Sequence, residues 1–165
     1  MKPKPRQRGP SNAFELIAKD AHDFVDLVEW LSKIPGYNAA TYKDAYGRMN
    51  RVWNRYDEQK NELTPSERGA LKKVLEDDNF TKYVLSIRVI ADHRTNRRGA
   101  KVPLRTRGSH SLSEKTSAAA LFRDRRVAAR TGTNQIIYVD HLDILQQMAE
   151  NLRNALTRAI ELPDN

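Results

Sequence analysis

The chain has 165 residues, a net charge of +8 and no cysteine, with 39% hydrophobic and 30% charged residues. That length fits one domain able to bury most of its unfolded surface, and the lack of cysteine excludes a disulfide framework, a thiolate metal site and a cysteine nucleophile. No apolar run follows the first charges and no window approaches eighteen uninterrupted apolar residues, so the expectation is a cytoplasmic or otherwise intracellular protein, neither secreted nor membrane-spanning.

Residues 1–11 hold Pro3, Pro5 and Pro10 with Lys2, Lys4, Arg6 and Arg8 and no aliphatic side chain, a composition that packs no core and reads as a disordered basic arm ahead of a helical domain over 12–165. Asn12 with Glu15 has capping-box spacing, and Phe14, Ile17, Ala21, Phe24, Val28 and Leu31 recur at three- and four-residue steps, predicting a helix that ends near Pro35-Gly36. Its other face carries Asp20, Asp23, Asp26 and Glu29. A second helix follows from Tyr42, Tyr46, Met49, Trp53 and Tyr56, joined by Ala45 and Val52. Thr64-Pro65-Ser66-Glu67 supplies a cap, a first-turn proline and a reciprocal acid for a third helix reaching about Glu76. Asp78 or Asn79 caps a fourth, with Phe80, Val84, Ile87 and Ala91 inward, Tyr83 and Ile90 widening the stripe, and fraying near Arg94.

Residues 94–112 lack periodicity and read as a long basic loop, a length that inside a domain is usually functional or disordered. Ser111 with Glu114 then predicts a helix that stops at Gly132. Gln135 to Val139 is either extended or a helical lead-in, and periodicity does not choose. Asp140 with Asp143 opens a last helix with Leu145, Met148, Leu152, Leu156 and Ile160 inward. The expected fold is an all-α, single-domain bundle of about six helices with little or no sheet.

The charge is local. Residues 94–130 carry eleven Lys or Arg against Glu114 and Asp124, a net +9 in 37 residues, so the rest of the chain sums to about zero. A concentration of cations on this scale repels itself unless a polyanion or an acidic surface lies against it, which makes nucleic acid the expected partner. The candidate contacts are the loop residues Arg94, Arg97, Arg98, Lys101, Arg105 and Arg107 and a ridge on the helix over 111–132. Lys115, Arg123, Arg126 and Arg130 share a wedge of roughly 80° there, beside the apolar Ala118, Leu121, Phe122, Ala128 and Ala129. Arg125 projects from that apolar sector, either snorkelling past Leu121 or reaching a phosphate or partner subunit. Arg48, Arg51 and Arg55 form a second row, with Asp44 and Glu58 at ordinary ion-pair spacing. The aromatic stripe of the second helix has the spacing of a core, whereas Trp30 is a candidate exposed aromatic unless Pro35 and Tyr37 cover it.

Catalytic signals are sparse. No two histidines have metal-ligand spacing, and Asp140-His141-Leu142-Asp143 is explained by capping, so no metal or cofactor is expected. Arg88 to His93 and Arg105 to His110 have the Arg-x4-His spacing of the helical HEPN ribonucleases. That resemblance implies a pair that activates a 2′-hydroxyl and stabilises the scissile phosphate without metal. Nothing else in the chain meets that family's pattern, and 18 arginines with four histidines, allowing four to six intervening residues, give roughly one match by chance. A helix-turn-helix over the third and fourth helices would offer only Lys82 and Arg88 as cations on its second helix, which argues against groove reading. The expectation is therefore a non-enzymatic protein that binds RNA or DNA through phosphates, as a small subunit of a larger assembly. Its rivals are a module docking an acidic protein, or this chain's own acidic helix in a second copy, and a ribonuclease built on Arg88 and His93.

Overall fold

The computed structural model describes residues 10–93, 111–112, 121–130 and 136–161. Among them are five α-helices, α1 (Asn12–Leu31), α2 (Ala39–Gln59), α3 (Pro65–Leu75), α4 (Asn79–His93) and α5 (His141–Glu161), with a 3-10 turn at Lys60–Glu62. Strands β1 (Ser111–Leu112), β2 (Arg126–Arg130) and β3 (Ile136–Asp140) form one small antiparallel sheet in that order. The fold is an all-α bundle with this sheet appended.

Helix starts follow local chemistry. Ser11, one residue ahead of the expected Asn12, caps α1: its backbone is extended and its Oγ accepts from the Phe14 amide at 3.1 Å. The reason lies in α3. The Glu67 carboxylate accepts from the Ser11 amide at 3.0 Å and the Ser11 hydroxyl at 2.6 Å, while closing its own capping box on the Thr64 amide at 3.0 Å. One buried acid therefore fixes the beginnings of two helices. Asn38 caps α2 through the Thr41 amide at 3.0 Å, after a reversal at Gly36, whose φ of 82° lies where glycine is favoured.

α1 lies along α2, α2 packs on α4, and α5 packs against α1, α3 and α4. Tyr42, Tyr46, Met49, Val52 and Tyr56 are buried with Ile17 and Phe24 of α1 and Leu145, Met148 and Leu152 of α5, so the aromatic stripe is core. Burying each of these large side chains contributes roughly 1.5–3 kcal/mol before entropic costs. Ile160 departs from its expected inward position and is 61% exposed, because the buried line of α5 continues through Ala155, Leu156 and Ala159.

The larger correction is at β2. A helix running to Gly132 is not formed, since Arg126–Arg130 pairs with Ile136–Asp140 in register, Arg126 opposite Asp140 and Arg130 opposite Ile136. The β-branched run Ile136-Ile137, with Tyr138 and Val139, is a strong strand former whose backbone needs a partner, and pairing with it overrides the helix propensity of Arg and Ala in 126–130. It also settles the 135–139 alternative as extended from Ile136 onward. Residues 113–120 and 131–135 lie outside the described residues.

Candidate functional site

Beyond Ser111–Leu112, the described part of the basic stretch resumes at a corner, residues 121–125, held to the α1–α2 connection and the start of α5 by polar contacts to its backbone. The Tyr37 hydroxyl donates to the Phe122 carbonyl at 2.8 Å, and the His141 amide donates to the Arg125 carbonyl at 2.7 Å. His141 is fully buried, its ring stacked on Phe122 with centroids 4.8 Å apart and planes 3° from parallel. Its Nε2 lies 2.9 Å from the Leu121 carbonyl and its Nδ1 lies 2.8 Å from the Tyr46 hydroxyl. A carbonyl only accepts, so Nε2 carries the proton and Nδ1 accepts from Tyr46. Burial agrees with this assignment from both sides. Desolvation lowers the His141 pKa to about 4, keeping the imidazole neutral, and raises the buried Tyr46 hydroxyl well above its ordinary value, keeping it a donor. Desolvation, followed by the Asp124 charge, raises Tyr37 to about 12.

From this anchored corner the cations diverge in their partners. Arg123 and Arg126 are exposed, with the Arg126 amide donating to the Asp124 carboxylate at 2.7 Å. Arg125 does not sit in an apolar helical sector: its Nε is 3.0 Å from the Asp140 carboxylate, at the junction of β3 and α5. Arg126 and Arg130 occupy alternate positions on β2, separated by four residues or roughly 13 Å along the strand. The side chain of Arg130 lies outside the described residues, as do Lys2, Lys4, Arg6, Arg8, Arg94, Arg97, Arg98, Lys101, Arg105, Arg107 and Lys115. A single helical ridge from Lys115 to Arg130 is thus replaced, over its second half, by a corner and a strand.

The second row on α2 is largely committed. Arg48 Nε pairs with Asp44 at 3.3 Å, and Arg55 Nε with Asp20 at 3.1 Å, leaving Arg51 exposed. Two of the acids of α1 are likewise engaged within the bundle, Asp20 by Arg55 and Glu29 by Arg153 at 3.2 Å. The fold also brings up a cation that sequence reasoning missed. Lys43 Nζ stands 5.6 Å from the Phe122 ring centroid. No sequence signal marks it, since its position depends on where Phe122 lands.

Arg88 and His93 both fall on α4, but their side chains lie outside the described residues, as do Arg105 and His110. Among the described residues no group of three or more His, Asp or Glu is arranged to hold a metal ion, and no helix is long and apolar enough to cross a membrane. Trp30 is 51% exposed, uncovered by Pro35 or Tyr37 to that extent. A groove of about 620 Å³ runs between the start of α1 and the end of α5, floored by Phe14, Ala18, Leu156 and Ile160. It sits toward the opposite end of α5 from His141, roughly 18 to 28 Å away along the helix axis. The chain matches no known protein-family model, no curated protein and no solved structure.

Proposed function

We propose that the chain is a non-enzymatic nucleic-acid-binding protein, a small subunit of a larger nucleoprotein assembly, that meets phosphates through the basic stretch 94–130. The observation that carries this reading is the segregation of charge, +9 within 37 residues of a chain whose remainder is about neutral. The pairing inside the bundle supports it: Asp20, Asp44 and Glu29 are taken by arginines outside the stretch. The intramolecular alternative, an excess neutralised by the acids of α1, loses two of the acids it needs. Contacts from the exposed Arg123 and from an alternating strand suit backbone phosphates of any sequence better than base reading.

The test is binding to labelled RNA and DNA over a range of salt. Replacing Arg123, Arg126 and Arg130 together by glutamine is expected to weaken binding to every sequence alike and to flatten the slope of log K against log salt, by up to about 2.7 units on duplex DNA or about 2 on a single strand. Binding that persists with an unchanged slope would locate the polyanion elsewhere. No binding by the wild-type chain, together with capture of an acidic protein, would replace this reading by a protein-docking one.

A second expected result concerns catalysis. The Arg-x4-His spacing occurs about as often as chance provides, so His93→Ala is expected to leave affinity within about threefold, roughly 0.6 kcal/mol, with no cleaved product on a gel. Metal-independent RNA cleavage that vanishes in this variant would establish the ribonuclease instead.

A further inference from the structure

We infer that Lys43 of α2 is part of the phosphate-contacting surface, an assignment that rests on the nucleic-acid reading above and extends it to a residue some fifty positions before the basic stretch begins. Lys43 is half-buried at its base and holds its ammonium over the face of Phe122, 5.6 Å from the ring centroid. That ring is itself fixed. It stacks on His141 at 4.8 Å, meets the Tyr46 ring edge-on at 5.8 Å, and its residue's carbonyl takes the Tyr37 hydroxyl at 2.8 Å. Arg123 follows Phe122 directly, so its Cα lies about 3.8 Å from that of the residue under the lysine. The bundle's cation therefore stands over the residue next in sequence to an exposed cation of the stretch.

The charges around Lys43 leave it available. The adjoining Asp44 is held by Arg48 at 3.3 Å, and among the described residues no carboxylate stands within ion-pair distance of Lys43. Asp140 is paired with Arg125 at 3.0 Å, leaving Asp124 as the acid of the corner itself. A lysine over an aromatic ring in water gains on the order of 0.5–1 kcal/mol, enough to orient the ammonium and too little to neutralise it. A phosphate drawn to Arg123 therefore finds a second, pre-oriented cation at the same corner.

The experiment titrates a labelled duplex DNA and a labelled single-stranded RNA with wild type, Lys43→Gln, Lys43→Arg and Lys73→Gln, the last an exposed lysine of α3. Lys43→Gln is expected to flatten the salt slope by about 0.9 on the duplex or about 0.7 on the single strand, while Lys43→Arg and Lys73→Gln keep it. A purely structural Lys43 would lower affinity through a looser corner without moving the slope. Acetylation of wild-type lysines reads the contact with no substitution: bound oligonucleotide should protect Lys43 and leave Lys73 reactive. Wild type that binds while Lys43→Gln keeps the full slope, or while Lys43 stays as reactive in the complex as free, overturns the assignment. Wild type that binds neither probe overturns the nucleic-acid reading itself.

Discussion

Lowering the pH from 7 to 4.5 is expected to cost the folded chain about 2 kcal/mol through His141 alone. In the unfolded chain this imidazole titrates near 6.5, whereas in the fold desolvation, the largest cause, depresses it to about 4 against the opposing influences of the Leu121 carbonyl, Asp140 and Asp124. The unfolded state therefore binds a proton that the folded state refuses. Stability is full above about pH 6.5 and is lost as the pH falls from there toward 4. The groups packed on the ring offer no relief, since Tyr46 already donates to Nδ1 and Phe122 covers one face. Carboxylates titrate in the same acid range, so the measurement is a difference: urea unfolding at both pH values for wild type and for His141→Gln, whose side chain carries no charge. Equal losses in the two proteins would show that the folded imidazole protonates freely.

Glu67→Ala is expected to destabilise the chain by about 3 kcal/mol and lower its melting temperature by roughly 10 °C, more than any single surface substitution. Glu67 is 4% exposed and its carboxylate receives three donors, the Ser11 amide, the Ser11 hydroxyl and the Thr64 amide. Bonds to a charged acceptor contribute more than neutral ones, and deleting the acceptor leaves two amides at helix starts without a partner. Glu67→Gln retains one acceptor oxygen and should fall between wild type and alanine, while Ser11→Ala, which removes one cap, should cost about 1 kcal/mol. Thermal melts followed by helical circular dichroism decide it. A Glu67→Ala loss no larger than that of the exposed Glu58→Ala would show that the two helix starts are not tied through this acid.

The helices were legible because their signals are local. Thr64-Pro65-Ser66-Glu67 contains cap, proline and reciprocal acid within four residues, and the structure uses all three. The stripe from Tyr42 to Tyr56 is likewise a period of one helix, read without knowing its partners. The sheet was not legible for the opposite reason. Arg126 to Arg130 is acceptable as helix by propensity, and only its pairing across Gly132 and Asn134 with Ile136 to Asp140 makes it a strand. The turn residues between an alternating segment and a β-branched run were the available hint.

The site divides along the same line. The excess of cations over 94–130 is a property of composition and needed no coordinates, but their arrangement did. That Arg125 is committed to Asp140, that Arg55 is committed to Asp20 on another helix, and that Lys43 stands over Phe122 are facts of tertiary placement with no echo in spacing. His141 was legible only as a neighbour of a capping aspartate. Its burial beneath Phe122, and its bond to Leu121, twenty residues earlier, depend on the corner folding back.

The dependence of α1, α3 and the corner on α5 has a consequence for how the chain is made. During synthesis α1 can lie on α2 as soon as both exist, but the surfaces that α1 and α3 present to α5, and the His141 ring that anchors Leu121 and Phe122, must wait for the last helix. At ordinary elongation rates the interval between residues 130 and 161 is roughly 2 to 6 s. Until α5 is made and docks, the core is unfinished. Were the proposed polyanion met in those seconds, it would engage a chain that has not yet closed, and its binding would be coupled to completion of the bundle.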